Sequence, residues 1–144
     1  MKKLSKTILI ALLLATIGAS QSWCRNHDGI VSFAKNDTMF VLFSDGKTTP
    51  ILLDANAGKG IARAVNDLRN DFELVTQLKP ELLNELPASG NIILAGEAGK
   101  SVFIDRLVKS GKINISSLNG KREKYIIQTV SNPFDGISEA LVIV

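Results

Sequence analysis

The stretch Gly96-Glu97-Ala98-Gly99-Lys100-Ser101 ends in the Gly-Lys-Ser used by phosphate-binding loops and stands between an apolar run and a helix-like segment. A phosphate loop needs four residues between its first glycine and the Gly-Lys pair, so that successive backbone N–H groups wrap the phosphates. Only Glu97 and Ala98 separate Gly96 from Gly99, and the Glu97 carboxylate repels phosphate. Nucleotide binding is therefore not expected. A helix N-terminus beside Lys100 can still hold a carboxylate, which makes Gly99, Lys100 and Ser101 the candidate anion site. An ordinary strand-to-helix turn is the default reading of the same residues.

Other chemistry is poorly provided for. Cys24 and His27 are the chain's single cysteine and single histidine, and two ligands do not close a zinc site. No metal and no cofactor are expected. A histidine base would have to be His27, in a tail-like stretch, and no Gly-x-Ser-x-Gly elbow accompanies any serine. Glycosidic hydrolysis needs two carboxyls converging across a cleft, yet the 14 acids fall mostly on helix faces and turns. Sugar stacking needs flat aromatic faces, and the chain has one Trp, one Tyr and six Phe that sit mostly in core-like runs. No catalytic residue is assigned.

The start of the chain reads as an address. Lys2, Lys3 and Lys6 precede an unbroken small or apolar run from Ile8 to Ile17, and Gly18-Ala19-Ser20 offers a cleavage site before Gln21. That pattern predicts a signal peptide over 1–20 and a secreted or periplasmic product. The run is too short to span a bilayer, and Gln21-Ser22-Trp23 before Cys24 does not fit a lipid anchor. The chain carries 17 basic against 14 acidic residues. Three of the basic ones lie in the leader, so the mature part is formally neutral. It lacks the basic stripe that nucleic acid requires.

The remaining residues must position whatever site exists. Residues 21–37 mix charge and turn formers and read as a flexible tail or linker. Met39–Phe43 and Ile51–Leu53 flank the Ser44-Asp45-Gly46 turn, predicting a hairpin or edge pair of strands. Ile61, Ala64, Val65, Leu68, Phe72 and Val75 recur every three or four residues, predicting an amphipathic helix from about Gly58 to Gln77. Covering Ile61, Leu68, Phe72 and Val75 would contribute about 6–12 kcal/mol as an upper estimate. Glu81-Leu82-Leu83 is a short strand and Asn91–Ala95 a buried one. Ser101 caps a second helix that buries Phe103, Ile104, Leu107 and Val108 and stops at Ser110-Gly111. Tyr125–Val130 and Ala140–Val144 complete the strands. The fold class expected over 38–144 is α/β (α+β), a small mixed sheet covered by two main helices.

These segments resemble one family. "VLFSDGKTTPILLDANAGKGIARAVNDLRNDFELVTQLKPEL" and "IILAGEAGKSVFIDRLVKSGKINISSLNGKREKYIIQTVSNPFDGISEALVIV" are similar to the N-terminal domain of glycoside hydrolase family 115. The telling pieces are Gly46-Lys47-Thr48-Thr49-Pro50-Ile51, the Gly99-Lys100-Ser101 turn and the run from Gly120 to Val144, and the likeness covers roughly 38–144. Members of the family are xylan α-1,2-glucuronidases. The resemblance implies a small accessory domain, like that of hexosaminidase-like glycosidases, which precedes a catalytic (β/α)-barrel and further domains that make dimer contacts. The expectation is a truncated fragment, inactive alone, whose partner is the missing barrel and which meets glucuronoxylan only through the full enzyme. Binding to nucleic acid, or to a membrane after leader removal, is not expected. Val102 departs from the proline common after this serine in the family. A stand-alone exported module binding acidic sugars is the alternative.

Overall fold

A computed structural model describes residues 31–33, 38–121 and 123–144 of the chain. The expected leader, and Cys24 and His27 in the expected tail, lie outside the described residues. Thr38–Val144 form one compact unit.

Asp45 and Gly46 both have positive φ, the requirement of a tight two-residue hairpin turn, and they join β1 (Phe43–Ser44) to β2 (Lys47–Thr48). Sequence reading expected Met39–Phe43 and Ile51–Leu53 to be the pair flanking this turn. Instead the hairpin is shorter, and β3 (Ile51–Leu53) enters a separate five-stranded sheet as an interior strand. Its three residues are all buried, so the unbroken Ile-Leu-Leu run marks a strand covered on both faces. Next come α1 (Lys59–Thr76), β4 (Leu82–Leu83), β5 (Gly90–Ala95), α2 (Val102–Lys109), a 3-10 turn at Ser116–Leu118, β6 (Ile127–Ser131) and β7 (Ile137–Ile143).

The sheet runs β4-β3-β5-β7-β6. β3 is parallel to β4 and β5, and β5 is parallel to β7; only β6 is antiparallel. This is the mixed α/β architecture expected from the sequence. Side chains alternate between two cores, as pleating requires. Leu52, Ile92, Leu94, Ala140 and Val142 meet Ile104 and Leu107 of α2. Ile51, Leu53, Ile93 and Ala95 meet Val65 of α1. The two helices therefore cover opposite faces of the sheet.

α2 matches its expected face: Ile104 and Leu107 are fully buried, and Phe103 and Val108 pack at the margin of the same core. In α1 the stripe is narrower than expected. Only Val65 is buried; Ile61, Leu68 and Phe72 are half-covered, Ala64 is exposed, and Val75 is 77% exposed. In the last turn of α1 the covered side of the helix carries Phe72 and Thr76, both half-buried, and Val75 lies off it. The helix closes at Gln77, in left-handed backbone, whose N–H donates to the Glu73 carbonyl at 2.8 Å.

Candidate functional site

The order of the strands creates one distinctive place. From β3 the chain passes through α1 outward to β4, then returns to β5 on the other side of β3. Open α/β sheets bind ligands in the crevice at such a switch point, outside the carboxyl ends of the strands. Here that crevice lies beyond Leu53 and Ala95, which are register partners, and is lined by Asp54, Ala57, Gly58, Gly96, Glu97, Lys100 and Ser101. The sequence-predicted Lys100 and Ser101 are thus at the switch point, with Gly99 between Lys100 and the rest of the turn.

Each of these three residues has a partner within the chain. The Gly99 N–H donates to Asp105 Oδ1 at 3.2 Å. Lys100 Nζ is paired with Glu97 Oε1 at 2.7 Å. Ser101, 2% exposed, accepts the Ile104 N–H on Oγ at 3.4 Å, which is the helix cap expected from sequence. The turn before the helix is held by the N–H groups of Lys100 and Ser101, both donating to the Glu97 carbonyl.

Asp54 is the residue that sequence reading missed. It follows β3 directly and is 8% exposed. Its Oδ2 accepts the N–H of Val102, the first residue of α2, at 3.0 Å, and its Oδ1 accepts the Asn56 N–H at 3.1 Å. Its own carbonyl accepts the Ala57 N–H at 2.9 Å. A helix N-terminus favours an anion, and in this fold the chain's own carboxylate is that anion. The hint in the sequence was an acid immediately after a fully apolar strand.

Asp54 and Glu97 put two carboxyls on one crevice, the number a glycosidase needs. The space between its walls is about 10 Å³, about one water, whereas ligand pockets run to about 300–1,000 Å³. Both Asp54 oxygens are occupied by backbone donors, and Glu97 is occupied by Lys100. What this arrangement does is brace β3 against α2. Gly96 shows how close the elements come: a Cβ there would lie 2.8 Å from Ser101 Cβ and 3.0 Å from Ile104 Cγ1.

No protein-family model matches the chain, and no curated protein matches it. A broad groove of about 670 Å³ lies at the opposite end of the sheet, beside the β1–β2 hairpin, lined among others by Lys47, Thr48, Pro50, Glu81 and Asn91. Glu81 is the single acid on its wall, so no carboxyl pair converges there. Among the described residues, no group of three or more His, Cys, Asp or Glu side chains could hold a metal ion. No helix among them is long and apolar enough to cross a membrane.

One apolar surface stands apart from these openings. On the face covered by α1, the half of the sheet formed by β7 and β6 is only partly covered. Leu141 and Ile143 are half-buried at the edge of that core, and Ile127, the register partner of Ile143, is 55% exposed. On the α2 face the same two strands bury Val130, Ala140 and Val142 to 6% exposure or less.

Proposed function

We propose that the chain is a non-catalytic accessory domain of the kind that precedes the catalytic barrel in family 115 α-glucuronidases, carried by an exported enzyme of glucuronoxylan breakdown. The observation that carries the non-catalytic part of this reading is the Asp54–Val102 brace, a bond particular to this chain, since the proline common at this position in the family has no N–H to donate. It fills the switch-point crevice, where an α/β domain of this topology would otherwise take a ligand, with an internal carboxylate. The crevice then has room for about one water at the point where a binding domain has space. The sequence likeness over 38–144 supplies the family. The partly covered β7–β6 face supplies a surface through which such a domain packs on a larger neighbour, in this reading the barrel.

The test uses the purified chain from Gln21 to Val144. Offered aldouronic acids, it releases no glucuronic acid, and calorimetry with glucuronic acid gives no heat. Mixed with a family 115 barrel produced without its own N-terminal domain, it forms a complex and raises the barrel's melting temperature. Release of glucuronic acid, or failure to form that complex, overturns the reading. Heat with glucuronic acid would point instead to the binding module built on Gly99, Lys100 and Ser101, although the partners of these residues within the chain speak against it.

A further inference from the structure

We draw no further inference here: the strongest candidate, the partly covered apolar face over β7 and the edge strand β6 (Ile127, Leu141 and Ile143), is already used in the proposed function, and nothing in the structure shows which segment or partner covers it.

Discussion

The Asp54 carboxylate receives the Val102 backbone N–H at 3.0 Å, joining residues 48 positions apart in the chain. Asp54→Ala removes the acceptor for that donor and for the Asn56 N–H, two partly buried bonds to a side chain that is itself 8% exposed. A hydrogen bond nets about 0.5–1.5 kcal/mol, so losing the two should cost about 1–3 kcal/mol. Asp54→Asn keeps one acceptor oxygen and should fall between the wild type and the alanine variant. Urea unfolding of the purified chain measures both. A loss under about 0.5 kcal/mol for Asp54→Ala would mean that the donors find other partners and that the brace is dispensable.

Proline at the first helical position is ordinarily harmless, because the N–H it lacks is unused there. Val102 occupies that position, and its N–H is used. Val102→Pro should therefore destabilise the chain by about 1–2 kcal/mol. In the Asp54→Ala background the same change should be neutral or stabilising by about 0.4–1 kcal/mol, because it restricts only the unfolded chain. A double-mutant cycle reads the coupling, expected at about 0.5–3 kcal/mol. Simple additivity would show that the two residues do not act on each other.

What could be read in the sequence divides along a physical line. The Ser101 cap, the α2 face and the buried Asn91–Ala95 strand rest on residues within a turn or two of one another, and all three were legible. Asp54 was not, because its partner becomes its neighbour only through the parallel register that sets Leu53 beside Ala95. The end of α1 failed for a different reason. Val75 keeps a three-residue spacing from Phe72, but the covered stripe follows the four-residue step to the half-buried Thr76, a polar residue that an apolar pattern passes over.

That difference in the two helices is measurable. Leu107→Ala removes a fully buried side chain of α2 and should cost about 2–5 kcal/mol. Val75→Ala, on a residue 77% exposed, should stay within about 0.5 kcal/mol of wild type. Chemical denaturation of the two variants side by side checks this. A cost above about 1.5 kcal/mol for Val75→Ala would place the end of α1 in a core.

Two glycines separate backbone conformation from crowding. Gly136 and Gly111 both have left-handed backbone, with φ of 78° and 71°. At Gly111 an added Cβ meets nothing within 4 Å, so Gly111→Ala should cost only the left-handed penalty of about 1–2 kcal/mol. At Gly136 the added Cβ would lie 2.1 Å from the Ala88 carbonyl oxygen, in the turn that enters β7. Gly136→Ala should therefore cost clearly more, about 3 kcal/mol or above once overpacking is included. Equal melting temperatures for the two variants would contradict the close approach of the 88–90 and 135–136 turns.

The partly covered face leads to the last test, which separates docking from folding. Ile127 lies on the edge strand, 55% exposed, and its loss removes little of the core that α1 covers. Ile127→Ser should shift stability by about 0.5 kcal/mol. If the domain packs on a barrel through this face with Ile127 among the few side chains that anchor it, the same change should weaken the complex about tenfold, which corresponds to about 1.4 kcal/mol. Leu74→Ser is the control, an equally apolar and 81% exposed position on α1 rather than on β6 or β7, and should leave the complex unchanged. A barrel that holds the Ile127→Ser variant as tightly as the wild type would move the docking surface off β7 and β6. The accessory-domain reading itself would then stand or fall with the formation of the complex.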